Sequence, residues 1–183
     1  MTQERVPNGT LFFSQMLMES LRLTLEPLAE LHLTDYFRLV GNPEVMKYIR
    51  APAVDLADAL TRLRRYTDYA SRAPGLGAFA IFTKENRRFV GVGVLIHLEL
   101  KIESGKIEVG YQFLPEEWGQ GFAQEVTGCL LKYGFEELEL TEIYGTTHPD
   151  HLVSQTVLQK CGLTPIGRLE VHGGSTAFVI KRS

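Results

Sequence analysis

The sequence predicts an α/β fold in which helices pack on one mixed sheet. Three observations carry that expectation. Period-two alternation and helical apolar stripes follow one another in the order β-α-α-β-β-β-α-β-α-β-β. Three of the strands run consecutively, which favours antiparallel hairpins. A strand–helix–strand unit then spans residues 107–147, and a crossover of that kind joins parallel strands. A parallel pair can splay where its helix leaves, opening a cleft at the strand ends.

The elements follow in order. Residues 1–19 read as an N-terminal arm or short helix ahead of one domain over residues 20–183; Met16, Leu17 and Met18 can dock on the body or on a partner chain. Leu21 to Glu26 alternates apolar and polar and is closed by Pro27. Leu33, Tyr36, Phe37 and Val40 form one helical stripe over residues 31–40, broken by Gly41-Asn42-Pro43. A short helix carries Val45, Met46, Tyr48 and Ile49. Asp55 can cap the next helix, which runs to about Ser71. Residues 77–83 and 88–98 are strands around the Glu85-Asn86-Arg87 turn, and residues 107–113 form another. A Gly-rich helix follows over residues 119–138, then a strand at 142–147 and a helix at 151–161 stopped by Gly162. Residues 163–170 and 176–181 close the chain as a hairpin through Gly173-Gly174.

Composition narrows the function. At 183 residues one domain is the default, and 44% hydrophobic with 22% charged residues is ordinary for a globular protein. The net charge of −3 and a pI near 6.0 argue against nucleic-acid binding as the main role. Arg62, Arg64 and Arg65 are the densest basic cluster, with Lys47 and Arg50 nearby in sequence; a solvated helix face accounts for them. Cys129 and Cys161 sit in apolar helical patterns and read as buried free thiols rather than a disulfide. The N-terminus lacks a signal-peptide pattern, and no apolar stretch approaches the ~20 residues needed to span a bilayer, so a cytoplasmic location is expected.

The most informative segment is Leu114-Pro-Glu-Glu-Trp-Gly-Gln-Gly-Phe-Ala-Gln-Glu-Val126. It reads as a strand end, a short turn and a helix start. Such a start exposes N–H groups that no helix carbonyl satisfies, and with the helix dipole these form an anion site, usually for phosphate. Gly119 and Gly121 permit close approach of that anion to the backbone. No Lys or Arg stands within the turn, so a phosphate would be held mainly by amides. A Walker A string is absent, and Gln124 stands where a Rossmann fingerprint needs its third Gly. As bare spacing, a structural turn and a functional one both remain open.

Four segments together resemble the GNAT N-acetyltransferase superfamily, in particular its RimJ/RimL-like branch, over residues 21–180. They are Ser20-Leu-Arg-Leu-Thr-Leu25, Ile107-Glu-Val-Gly-Tyr111, Trp118-Gly-Gln-Gly-Phe-Ala-Gln-Glu125, and His148-Pro-Asp-His-Leu-Val-Ser154 with Val157-Leu-Gln-Lys-Cys-Gly-Leu163. The resemblance implies a mostly antiparallel sheet of about seven strands, helices on both faces, and a splayed parallel pair forming an acyl-CoA cleft. It implies acetyl-CoA as donor and an acceptor that is a protein N-terminus, an amino acid or a small amine. The pyrophosphate would lie on the amides of Gly119, Gln120, Gly121, Phe122 and Ala123, beside Trp118. Gln112, Phe113 and Leu114 would bind the pantetheine arm by backbone bonds, as a strand is added to a sheet edge. His151 stands where the family usually has Asn, and Leu158 where many members carry a general-acid Tyr. A possible homodimer follows only by analogy.

Acetyl transfer needs an amine freed of its proton, a donor for the developing oxyanion and a proton for the thiolate. Glu108, on the strand beside the cleft, is the first candidate for the base; a salt-bridged strand carboxylate is the alternative. Ser154 is the candidate donor to the thiolate or the cofactor, against a helix Ser bonded to its own turn. Tyr111 is an alternative acid. His148 and His151 have no third ligand nearby, so no metal is expected. His97 and His172 are further candidates for the acceptor pocket. A non-catalytic acyl-CoA-binding or regulatory module of the same fold is the second functional reading.

Overall fold

The computed structural model describes residues 16–182. An eight-stranded sheet runs through them, comprising β1 (Met18–Glu19), β2 (Leu23–Pro27), β3 (Gly77–Thr83), β4 (Phe89–His97), β5 (Ile107–Phe113), β6 (Glu142–Thr147), β7 (Thr164–Leu169) and β8 (Ser175–Lys181). The spatial order is β1-β2-β3-β4-β5-β6-β8-β7. Among the described residues five α-helices accompany it: α1 (Leu33–Val40), α2 (Pro43–Met46), α3 (Leu56–Arg72), α4 (Phe122–Glu136) and α5 (Leu152–Lys160). Asn42 caps α2 by accepting from the amides of Glu44 and Val45, and Pro43 presets the first turn. Asp55 caps α3 through the Asp58 amide at 2.8 Å, as its sequence position predicts.

The sheet exceeds the seven expected strands by one. Met18 and Glu19 lie opposite Leu25 and Thr24 as a two-residue edge strand, and Met18 is buried. The rest of the expected arm, residues 1–15, lies outside the described residues. The first long strand starts at Leu23 and includes Pro27, which pairs with Phe79; Leu21 is exposed. The Gly-rich helix begins at Phe122, because Gly119 and Gly121 hold left-handed φ values of 77° and 80° that a helix cannot contain. Cys129 and Cys161 are free and half-buried rather than buried.

Both faces of the sheet are covered, so β3 is buried along its whole length. On one face α4 packs Phe122, Val126 and Leu130 against Phe79, Ile81 and Val109. On the other, α1 and α3 pack Tyr36, Leu39, Ala59 and Leu63 against Ala78, Ala80 and Val92. Each large apolar side chain that these helices bury contributes about 1.5–3 kcal/mol. The sheet is antiparallel throughout except at β5 and β6, where only Glu108 and Tyr144 are in register. The neighbouring ladders are long: seven pairs join β4 to β5 and six join β6 to β8. The parallel pair therefore meets at one end and parts beyond it. That gap is held by α5, which lies close on β6 because Gly145 has no side chain: a Cβ there would stand 2.8 Å from Leu158. No helix among the described residues is long and apolar enough to cross a membrane.

Candidate active site

A cavity of about 350 Å³ opens where β5 and β6 part. Strand alternation divides its lining. Glu108, Gly110 and Gln112 face α1 and α3, beside Val92, Val94 and Ile96 of the paired strand β4. Val109, Tyr111 and Phe113 face α4 and α5. The gap lets both sets reach one cavity.

At the mouth of the gap lies the Gly-rich loop. Among the described residues, none of the amides of residues 119–123 donates to a protein acceptor, and the α4 N-terminus has no side-chain cap. A Cβ on Gly119 would meet nothing within 4 Å, so the space above the loop is open. Unsatisfied amides, a helix N-terminus and open space fit a phosphate. Structure adds a cation that the loop itself lacks. Arg22 donates to the Gln120 carbonyl at 3.0 Å, pairs with Glu125 at 2.7 Å and lies over the Phe122 ring at 4.6 Å. With its charge matched by Glu125, it shapes the loop. The Gln120 side chain turns back onto the Glu116 carbonyl and Glu117, leaving its amide to the loop. Trp118 is half exposed, and its indole N–H donates to the Phe113 carbonyl at 2.9 Å.

The strand end has a specific polarity. The Leu114 amide donates to the Val90 carbonyl at 3.0 Å. Alternation then directs the Gln112 backbone to β4 as well, and leaves the backbone groups of Tyr111 and Phe113 facing the gap. Gln112 reaches the cavity through its side chain, whose Oε1 is buried without a partner. A buried acceptor without a donor costs about 1–3 kcal/mol, which a ligand N–H in the cavity would recover.

Glu108 is buried. Its Oε2 accepts from the Thr146 hydroxyl at 2.7 Å, and its Oε1 lies 3.2 Å from His172 Nε2. The carboxylate beside His172 raises that histidine's pKa above its ordinary value, against the opposing effect of its burial. The His172 amide is tied to Glu99 at 3.2 Å, and the residue holds a left-handed φ of 52°. Through the gap, the Tyr111 hydroxyl donates to Ser154 Oγ at 3.2 Å. Burial pushes the Tyr111 pKa up, so the phenol stays protonated. Ser154 stands one turn before Leu158, which is buried.

The remaining histidines have other work. His151 stacks on Tyr48, with centroids 4.5 Å apart and planes 20° apart, and His148 tilts against the same ring at 5.3 Å. This stack bridges the segment after α2 to the loop before α5 across the cavity. Burial lowers the His151 pKa, which keeps the imidazole neutral. His97 sits outside the cavity lining: its Nδ1 lies 2.7 Å from the Tyr69 hydroxyl, which also accepts from the His97 amide at 2.8 Å. Among the described residues no cluster of three or more His, Cys, Asp and Glu has the arrangement of a metal site.

Residues 22–164 match the acetyltransferase (GNAT) domain. The chain belongs to the GNAT acetyltransferase family. It is an enzyme of the acetyl-CoA-dependent N-acetyltransferase class that the family defines. It is 30% identical over 159 residues to the FsC-acetyl coenzyme A-N(2)-transacetylase of Aspergillus fumigatus, covering 84% of this chain and 67% of that protein. In fold it is similar to an acetyltransferase from Agrobacterium tumefaciens, with a TM-score of 0.78 at 20% identity over 99% of this chain and 100% of the other. It is also similar to RimL, the ribosomal L7/L12 α-N-protein acetyltransferase, in its complex with coenzyme A; the TM-score is 0.77 at 14% identity, covering 91% and 98%.

Of the sequence-selected residues, Glu108, Gln112, Ser154 and His151 line this GNAT cavity. Gly119, Gln120, Gly121, Phe122 and Ala123 form the loop at its mouth. Leu114 is buried against the α1 side of the core, and Trp118 braces the loop. Tyr36, Tyr48 and Tyr66, which the resemblance places on the acceptor wall with Phe37, Tyr69 and the loop at 171–175, line the cavity. Arg22 had no signal of its own in the sequence, because it acts through Glu125, about 100 residues away in the chain. The His172–Glu108 pair was hidden in the same way, although His172 in a Gly-rich hairpin stood among the sequence candidates.

Proposed function

We propose that the chain moves an acetyl group from acetyl-CoA to a primary amine by direct transfer in a ternary complex. The observation that carries this reading is the arrangement of two polar pairs on opposite faces of β5. Glu108–His172 lies on one side and Tyr111–Ser154 on the other, with a loop of free amides at the strand's end.

The residues divide the work accordingly. The amides of residues 119–123 hold the pyrophosphate of acetyl-CoA, and the Tyr111 and Phe113 backbone with the Gln112 amide line the pantetheine arm. Bound there, acetyl-CoA supplies an activated thioester. Glu108, directly or through a water, takes the proton that the amine nitrogen loses as the C–N bond forms, and His172 shares that proton. As the C–S bond breaks, Ser154 gives a proton to the thiolate and takes one from the Tyr111 hydroxyl, which water then reprotonates. Leu158 cannot donate, and the Tyr111–Ser154 pair lies one helical turn from it. Proximity of amine and thioester in the cavity supplies a large further share of the rate.

The test combines two measurements. Calorimetry measures acetyl-CoA binding, and free-thiol release is followed with N-terminal peptides, amino acids and small amines. The expected outcome is binding with thiol release, and in Glu108→Gln a fall in kcat of about 10²–10⁴-fold with acetyl-CoA binding retained. Binding without release on every acceptor, in the wild type as in Glu108→Gln, would support the acyl-CoA-binding module instead.

A further inference from the structure

The basic cluster at residues 62–65 lies on a largely solvated face, as expected, but its arginines differ in their partners. Arg62 pairs with Asp58 at 2.8 Å and Arg64 with Glu30 at 2.7 Å. Arg65 instead lines the cavity, where Arg50 joins it from the segment after α2. Among the described residues neither Arg50 nor Arg65 makes an ion pair, whereas both carboxylates lining the cavity are engaged. Glu99 is held by Lys101 at 2.8 Å and by the His172 amide. Glu108 is held by Thr146 and His172.

Arg50 is central to this wall. Its charge acts on Tyr36, Tyr66 and His172. Tyr66 in turn lies within the field of Glu108. Tyr66 thus feels both the Arg50 guanidinium and the proposed base. Val92, Val94 and Ile96 are apolar lining of the same cavity, and Arg50 and Arg65 are exposed on it. Their guanidiniums are therefore open to a charge-assisted bond from a bound anion. Glu99 and Glu108 share the cavity, so a single negative charge matches it better than a doubly charged phosphate.

We propose that Arg50 and Arg65 form an anion subsite, and that the acceptor is a primary amine carrying a carboxylate. This rests on the N-acetyltransferase reading above and narrows its substrate class. A free amino acid supplies both groups; so does a peptide whose acidic side chain lies next to its N-terminus.

Thiol release is measured with three sets of acceptors: L-amino acids against their amides, C-terminally amidated peptides with Asp or Glu second against Asn or Gln second, and O-phosphoethanolamine against ethanolamine. The expected result is a kcat/KM for carboxylate-bearing acceptors about 10- to 100-fold above their neutral counterparts. The amino-acid and peptide sets tell the two sources of the carboxylate apart. In R50Q/R65Q that ratio collapses through KM, with kcat for the carboxylate acceptor and both constants for the neutral amines changed by no more than a few-fold. Calorimetry shows acetyl-CoA binding unchanged. Neutral amides used as well as the acids, a ratio that survives in R50Q/R65Q, or a preference for the phosphate-bearing amine each overturn the subsite and leave the enzyme reading intact. Acetyl-CoA bound with no thiol released from any acceptor overturns the enzyme reading, and the subsite with it.

Discussion

The two ends of the cavity are built by different means. The donor end is a short run of chain, residues 113–125, whose contribution is mostly backbone: free amides, two glycines in left-handed conformation and a helix start. The acceptor end is assembled from the segment after α2, α3, β4, β5 and the β7–β8 hairpin, and it works through side chains. A contiguous backbone device leaves a pattern in the sequence because its requirements are local: glycine where φ is positive, an apolar helical stripe behind it. An assembled side-chain device leaves none, because each residue is ordinary in its own element. Arg65 reads as one more charge on an amphipathic helix until the fold sets it on the cavity that Glu108 also lines.

The sharpest way to break that contrast is to add a side chain to the donor loop. Gly119→Val places a β-branched residue at a φ of 77°, at a cost of about 1–2 kcal/mol, and pushes methyl groups into the open space above the amides. Acetyl-CoA affinity by calorimetry should fall by roughly 100-fold. Unfolding should remain cooperative, with the melting temperature lowered by no more than several degrees. Retained affinity would mean that the backbone amides of this loop do not carry the phosphate.

The acceptor end makes its own prediction through His172. Because Glu108 raises the His172 pKa, the pair keeps a proton above the ordinary histidine value of about 6.5. A His172 that is already protonated cannot share the proton the amine gives up, so kcat/KM should rise with pH through a value above about 6.5. His172→Gln removes that titration and should move the acid limb toward lower pH. Stability runs the other way. The protonated pair favours the folded state, so its contribution is complete below about pH 6.5 and is lost as pH rises through the raised folded value. Activity should therefore climb while the melting temperature declines across one window, and His172→Gln should flatten both. A wild-type acid limb below pH 6 would separate His172 from the base.

Much of the fold was legible for the same local reason. The hairpins, the crossover, the Gly41-Asn42-Pro43 break and the Asp55 cap each rest on neighbours in sequence, and their boundaries fall within a few residues of expectation. The misreadings have tertiary causes. Met18 and Glu19 are too short a segment to show alternation, and they become a strand only because the free edge of β2 is beside them. The Gly-rich helix starts three residues late because its first turn is given over to the loop. In the site, Glu108 and Ser154 could be picked from strand and helix positions. Tyr111 and His172 were candidates too, but the pairings were not legible, nor was Thr146, since hydrogen bonds of 2.7, 3.2 and 3.2 Å join residues that are 38, 64 and 43 apart in the chain.

Trp118 marks the boundary between the two kinds of construction, because it is a side chain serving the backbone end. Its indole N–H occupies the Phe113 carbonyl, which otherwise faces the gap between β5 and β6. Trp118→Phe keeps a ring over the loop and removes only the donor. A neutral hydrogen bond at this half-exposed position is worth about 1 kcal/mol, and the freed carbonyl can accept from a bound pantetheine amide instead. The two effects oppose each other, so acetyl-CoA affinity should change by less than about fivefold, with kcat for the amine unaltered. A loss as large as that expected for Gly119→Val would show that the loop depends on this side chain to hold its amides in place. The donor end would then be an assembled device like the acceptor end, differing only in how close together its parts lie along the chain.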